Sequence, residues 1–280
     1  MTDSTQKEKA MQFRRLHAGP DMLVLPNAWD AASARILEQA GFQAIATTSS
    51  GVAASLGYPD GQHISRDMLL KVVEGIARVV GCPVSVDLEA GYGATVQEVM
   101  ETIEAIIRVG AVGVNIEDTT KQGQRSLVDI AYQVGLLQAI QEVAASTDVP
   151  LVVNARTDVY LLPANDENSR FEQAVERANA YRQAGADCVF PIGVSDAPTI
   201  AQLVKAIAGP VNIVAGPPAP TLPELARLGV ARVTFASSLM RATLGHLHHI
   251  ARELLANGTY TSMGETMLSS NEFRSLFELR

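Results

Sequence analysis

One unit recurs along the middle of this chain: an amphipathic stretch, a glycine, then a short run of β-branched or small apolar residues. It is visible at Leu37–Thr48, Ile107–Asp118, Arg182–Gly193 and Ala226–Ser237. Each time, the glycine stands where a helix must end, and it enters the left-handed backbone of a helix C-cap without a Cβ penalty. The run that follows is apolar at successive positions, as expected of a strand covered on both faces. Such a chain has few options, because parallel strands need crossovers and the amphipathic stretches supply them.

Counting every such run predicts eight strands: Met22–Leu25, Phe42–Thr47, Val84–Leu88, Val112–Glu117, Leu151–Arg156, Cys188–Pro191, Val211–Val214 and Arg232–Phe235. Helical patterns separate them at Ala31–Gln39, Arg66–Val80, Val96–Val109, Leu127–Ala145, Phe171–Ala184, Ala197–Ala208 and Leu222–Leu228. Eight β/α units in series predict an α/β fold, a (β/α)8 barrel of the TIM type. A doubly wound open sheet is the alternative, since periodicity carries no information on closure. Residues 1–280 read as one domain, because a single barrel takes roughly 250 residues. Two connections after strands are long, Ser49–Ser65 and Thr119–Ser126, and either is a candidate lid over the mouth. Beyond the last strand, 239–280 reads as a helical pattern (Leu239–Leu255), a polar stretch (Ala256–Ser269) and a short terminal helix. Phe273, Leu276 and Phe277 of that helix fall on one stripe and must dock within the chain or on a neighbour.

Composition removes several function classes. The net charge is −8, with no basic cluster longer than Arg14-Arg15, which argues against nucleic acid or an anionic membrane as partner. No apolar run approaches the roughly 18 residues of a membrane span, and Met1–Ala10 lacks the apolar stretch of a secretory signal. Two cysteines make no disulfide framework, and the expected compartment is cytoplasmic.

In a barrel, polar residues at the C-terminal ends of strands face the active mouth. The third strand ends in Asp87 and Glu89, the fourth in Asn115 and Glu117, the fifth in Asn154 and Arg156. Each pair is two apart, which places both members on one side of a strand, while Asp118 has the opposite phase. A single acid at a strand end reads more readily as a cap or a surface ion pair; three consecutive strands together point to a site. Bare carboxylates facing the axis need a proton or a cation. With no His or Cys nearby, the oxygen-only set Asp87, Glu89 and Glu117 suits Mg²⁺, or Mn²⁺, better than Zn²⁺. Arg156 would clamp a carboxylate or steady an enolate beside the metal. Ser49-Ser50-Gly51, closing the second strand, could hold a carboxylate on consecutive N–H groups or be an ordinary turn.

Other chemistries lack residues. A Schiff-base lysine needs a strand end, and Lys7, Lys9, Lys71, Lys121 and Lys205 fall in the N-terminal segment, helices or a loop. Cys82 and Cys188 begin strands, at the face opposite the mouth. His246, His248 and His249 lie inside a helical pattern and read as solvated, as does His63 in the loop after the second strand.

Taken in order, "LPNAWDAASARILEQAGF", "TTSSGVAASLGYPDG", "VDLEAGYG", "NIED" and "NARTD" resemble the isocitrate lyase / phosphoenolpyruvate mutase superfamily, from about Leu23 to Leu255. The resemblance implies a (β/α)8 barrel whose last helix is exchanged between subunits of a homo-oligomer, usually a tetramer. It implies Asp87 as the direct Mg²⁺ ligand, with Glu89 and Glu117 acting through waters. Ser50 and Gly51 would hold the substrate carboxylate through backbone amides, with Ser49 beside them, and Arg156 would bind the 2-oxo acid. Asp60 matches an acid used near the metal or the migrating group, and Asn27 and Trp29 fall near the pocket. The shared chemistry makes or breaks a bond to C3 of a pyruvate-like enolate.

Departures refine the expectation. The second acid of the metal loop is Glu89 where the mutases and many lyases have Asp. Isocitrate and methylisocitrate lyases carry a Lys-(Lys/Arg)-Cys-Gly-His lid; here Thr119–Ser126 has neither Cys nor His, though Lys121 and Arg125 remain, with Gln122 and Gln124. The phosphonate-handling histidine expected after the sixth strand is replaced near Pro191. The expected activity is therefore an Mg²⁺-dependent lyase or decarboxylase acting on a small 2-oxo or hydroxy carboxylate, with Arg156, Asp60, Lys121 and Glu117 as its catalytic groups. Phosphoenolpyruvate/phosphonopyruvate mutase or phosphonopyruvate hydrolase chemistry is one alternative, a non-catalytic 2-oxo acid binding protein another.

Overall fold

The computed structural model describes residues 4–120, 125–163 and 167–278. Its strands are β1 (Leu23–Val24), β2 (Asn27–Ala28), β3 (Ile45–Thr47), β4 (Val84–Asp87), β5 (Gly113–Glu117), β6 (Val152–Thr157), β7 (Cys188–Pro191), β8 (Asn212–Val214) and β9 (Arg232–Thr234). All pairings between them are parallel, in the orders β2-β3-β4-β5-β6-β7 and β1-β9-β8. The predicted first strand is shifted and split, because Pro26 has no N–H to give to a ladder. Leu25 N still donates to Val233 O at 2.9 Å, and Pro26 O accepts from Ala46 N at 2.9 Å, so this stave is bonded on both flanks. The other seam is a parallel bridge between Val189 and Val211. Stave order thus runs once around the ring, a (β/α)8 barrel and not an open sheet. Asn27 stitches the first seam near the mouth: its Nδ2 donates to Thr47 O (2.8 Å) and its Oδ1 accepts from Phe235 N (2.7 Å).

The crossovers are helices where the hydrophobic period predicts them, and several start at a polar cap. Thr95 and Glu98 form a reciprocal capping box before Val96–Arg108, and Asp30 and Ser33 do so before Ala31–Gln39. Their apolar stripes pack on the outer face of strands that are buried throughout, such as β5 and β7.

Three parts differ from expectation. Residues Ser49–Ser55, expected as loop, form a helix directly after β3. Ala256–Ser269, expected as a polar stretch, contains the helix Thr261–Thr266, whose start is held by Glu253: its Oε1 accepts from Thr261 N (2.8 Å) and its Oε2 from Ser262 N (2.9 Å). An additional helix, Ser4–Ala18, lies across the N-terminal ends of the strands. Gln6 Nε2 donates to Ile107 O (2.7 Å) and Ala111 O (3.0 Å), and Arg14 Nη2 donates to Leu151 O (3.2 Å). Phe13 is fully buried so close to β5 that a Cβ on Gly113 would stand 2.6 Å from its Cε1, which explains glycine there. The helix plugs the floor of the barrel.

The long helix Ser238–Asn257 leaves the barrel after β9 with Met240 buried and Leu244, Leu247 and Leu255 exposed. The terminal helix Ser270–Ser275 returns: Leu276 is buried and its carbonyl accepts from Arg35 Nε at 2.7 Å, while Phe273 and Phe277 stay exposed. No helix among the described residues is long and apolar enough to cross a membrane.

Candidate active site

A cavity of about 510 Å³ opens at the C-terminal ends of the strands. Asp87, Glu89, Asn115, Glu117, Asn154 and Arg156 all line it, as do Asn27, Ser49, Ser50 and Asp60. The in-phase pairs of β5 and β6 face it as period-two geometry requires; β5 and β6 are in register at Asn115↔Asn154 and Glu117↔Arg156. Glu89 arrives by another route. β4 ends at Asp87, and Glu89 has φ 50°, so a turn and not strand alternation brings it to the cavity.

Asp87 is held from several sides. Its Oδ2 accepts from Ser49 N at 3.0 Å, at the start of the helix after β3, and its Oδ1 accepts from Asn115 Nδ2 at 2.9 Å. Its own N–H donates to Thr47 Oγ1 at 2.9 Å. Asn115 is in turn fixed by Asn154, whose Nδ2 donates to Asn115 Oδ1 at 2.7 Å. Glu89 Oε1 accepts from Gln62 N (3.0 Å) and from Tyr92 OH (3.1 Å). Burial first, then the Glu89 charge, pushes the Tyr92 hydroxyl well above the ordinary tyrosine range, so it stays a donor.

Glu117 is 2% exposed; its Oε1 accepts from Thr119 Oγ1 (2.7 Å) and its Oε2 pairs with Arg156 Nη1 (3.0 Å). Arg156 also donates from Nε to Asp158 Oδ1 (2.6 Å) and from Nη2 to Asp158 Oδ2 (3.1 Å). Burial alone would lower its pKa, but Glu117 and Asp158 outweigh that and hold the guanidinium charged. Arg125, beyond the loop after β5, pairs with the same Asp158 carboxylate. Behind this group Asp118 points away from the cavity, as its phase predicts. It accepts from Thr157 Oγ1 (2.7 Å), Asp158 N (2.9 Å), Tyr181 OH (2.8 Å) and Arg177 Nη1 (3.2 Å).

Among the described residues no three acidic, His or Cys groups close on one point as a shared set of direct ligands. The arrangement suits an ion bound by one carboxylate and otherwise through water, the habit of Mg²⁺. The oxygen-only donors and the fixed orientation of Asp87 fit such an ion.

Two expected residues stand back from the cavity lining. Trp29 is half-buried, and a Cβ on Gly51 would stand 2.6 Å from Thr48 Cγ2 and 3.0 Å from Trp29 Cβ, so glycine there permits close packing of the helix. Lys121, with Gln122 and Gln124, lies outside the described residues. Burial pushes the Cys82 and Cys188 thiols up to about 12, which leaves neither as a nucleophile at neutral pH. His246 is half-buried with Nε2 2.9 Å from Thr266 Oγ1, and His63 is exposed.

The family model described as phosphoenolpyruvate phosphomutase matches residues 13–255. The chain belongs to the phosphoenolpyruvate phosphomutase family. Relatives of this phosphomutase-family chain include the 2-methylisocitrate lyase of Escherichia coli, 32% identical over 269 residues, covering 93% of this chain and 89% of the relative. The 2,3-dimethylmalate lyase of Eubacterium barkeri is 28% identical over 281 residues, with coverage of 96% and 94%. A Burkholderia cenocepacia crystal structure provisionally named a lyase/mutase superposes with a TM-score of 0.90 at 37% identity, covering 98% of this chain and 96% of that one. Phosphomutase-family relatives thus carry the names of lyases as well as mutases.

Sequence reasoning missed Asp158, Arg125 as its partner, and Arg232. Asp158 sits two residues after Arg156, and that spacing was the available signal. Arg232 starts β9, so a search of strand ends passes over it, yet it lines the cavity with 1% exposure.

Proposed function

We propose that this protein is a divalent-metal-dependent lyase or decarboxylase that cleaves, or in reverse forms, a carbon–carbon bond next to a 2-oxo acid of a small 2-oxo or hydroxy carboxylate. The observation that carries the reading is Asp87, oriented by Ser49 N–H and Asn115 beside the Glu117–Arg156 pair in one polar cavity. Asp87 would hold Mg²⁺, with Mn²⁺ as a substitute, and Glu89 and Glu117 would act through waters. When bound, the ion supplies positive charge that stabilises an enolate oxygen. Arg156, locked by Asp158, keeps donors on Nη1 and Nη2 for the substrate's carboxylate or 2-oxo oxygen. The helix start at Ser49–Gly51 offers backbone amides to the same carboxylate; Ser49 N–H already serves Asp87, which leaves those of Ser50 and Gly51. Asn27 and Asn154 border this position and Trp29 backs it. Asp60, which lines the cavity, is assigned to the side of the breaking bond, where a proton must be exchanged, and Lys121 is proposed as a second group for that exchange.

The lyase reading is tested by incubating the protein with Mg²⁺ and oxaloacetate, substituted malates or methylisocitrate. Released 2-oxo acid that disappears with chelator is the expected result. Absence of turnover on every member, with no oxalate binding, would sink it; oxalate binding without turnover would favour a non-catalytic 2-oxo acid binding protein. The match to the phosphomutase family model supports a second reading, P–C bond chemistry as a mutase or phosphonopyruvate hydrolase. Phosphorus NMR of a phosphonopyruvate incubation separates the two.

We further infer that 239–280 packs on a neighbouring subunit, since Leu244, Leu247 and Leu255 leave an apolar stripe exposed on the helix after β9. Leu247→Glu is expected to shift the mass measured by light scattering from oligomer to single chain. An unchanged mass would count against the exchange.

A further inference from the structure

Beneath the carboxylates, the floor of the cavity holds a guanidinium that has no ionic partner among the described residues. Arg232, Thr234 and Ala236 rise along β9 and its end, and all three line the cavity, with Arg232 the deepest. Arg232 is among the largest fully buried side chains. Its Nη1 lies 3.3 Å from His17 Nε2, its Nε has no partner, and among the described residues no carboxylate forms an ion pair with it. His17 cannot supply the missing charge. Burial and then Arg232 itself lower its pKa to about 3, and its Nδ1 donates to Phe13 O at 2.8 Å, leaving Nε2 to accept. Burial lowers the Arg232 pKa to about 10, which keeps it charged at neutral pH.

Two more orphaned polar atoms belong to the same space. Ser85 Oγ, one step below Asp87 on β4, and Asn154 Oδ1 on β6 are buried without partners, and both residues line the cavity. A buried unpaired cation costs several kcal/mol, and native structures seldom carry one without a use. Asp87 is the carboxylate whose field reaches Arg232, without contact. A divalent ion at Asp87 would cancel that field and leave Arg232 in need of an anion.

We propose that Arg232, with Ser85 lining the same cavity, is a second carboxylate subsite at the cavity floor, which makes the protein selective for dicarboxylates over monocarboxylates of equal length. The proposal rests on the functional reading above and adds a specificity-determining residue to it. Its test compares 2-oxoglutarate with 2-oxopentanoate, each titrated calorimetrically in the presence of Mg²⁺. The unaltered protein should bind the dicarboxylate about tenfold or more tightly, the worth of a charge-assisted contact. In Arg232→Met, which fills the same space, that ratio should fall close to one while 2-oxopentanoate affinity holds. The ligand-free variant should also melt at a higher temperature, because the uncompensated charge is gone. A preserved ratio in the variant, or a sharp fall in its melting temperature, would overturn the subsite alone. Failure of either oxo acid to bind the unaltered protein with Mg²⁺ would count against the subsite and the lyase reading together.

Discussion

Replacing Asp87 by Asn should weaken divalent-ion binding by more than about 100-fold and abolish turnover with it, because a direct ligand must cost more than the outer-shell partners whose loss costs about 10–100-fold. The side chain keeps its shape, and one oxygen can still accept from Ser49 N–H or from Asn115. The lost item is the charge. The new amide must also turn a donor toward one of those two donors, a local cost of about 1–3 kcal/mol that leaves the barrel folded. Calorimetric titration with Mn²⁺, together with an unfolding curve, separates the two effects. Unaltered affinity would mean that the ion, if any, sits elsewhere.

The second large effect is on stability. Asp118→Ala should cost about 3–5 kcal/mol, the usual penalty for stripping one partner from a buried ionic group. Asp118 is fully buried, and its side chain accepts four hydrogen bonds, from Thr157, Asp158, Arg177 and Tyr181. Without it the Arg177 charge is stranded, and Asp158 N–H loses the acceptor that positions its own carboxylate against Arg156. Asp118→Asn keeps an acceptor and should fall between the parent and the alanine variant in urea denaturation. Turnover should fall in the same order, since Arg156 depends on Asp158 for its orientation. A loss below about 1 kcal/mol for Asp118→Ala would show that water replaces the carboxylate there.

Much of this is legible in the sequence. Four helix–glycine–strand units set the pattern and the apolar runs like theirs located eight staves, although the helix before β6 ends on Asp148 and not on glycine; period-two alternation sorted Glu117 inward and Asp118 outward. Glu89 reached the cavity although the strand rule that predicted it had already ended, because a left-handed residue replaced the alternation. The Pro26 break was not anticipated, since an apolar run does not reveal which flank each residue bonds. The helix Ser4–Ala18 escaped notice because its stripe is narrow: Ala10, Phe13 and His17 carry it within a charged stretch. Arg232 escaped for a deeper reason. Its significance depends on what it lacks, and an absent counter-ion leaves no mark in a one-dimensional pattern.

The interrupted first stave bears on how the molecule is made. The first half of that stave, Leu23–Leu25, must wait for a partner more than two hundred positions downstream, since β1 pairs with β9 and Leu25 N donates to Val233 O, while β2 can pair early with β3. Until the ribosome has released that last stretch, the nascent sheet carries two raw borders, and contacts so distant along the chain form slowly. Ring completion is then a late, all-or-nothing event. Shortened products that stop before Thr234 should be sticky and dependent on chaperones, however well their early helices have set.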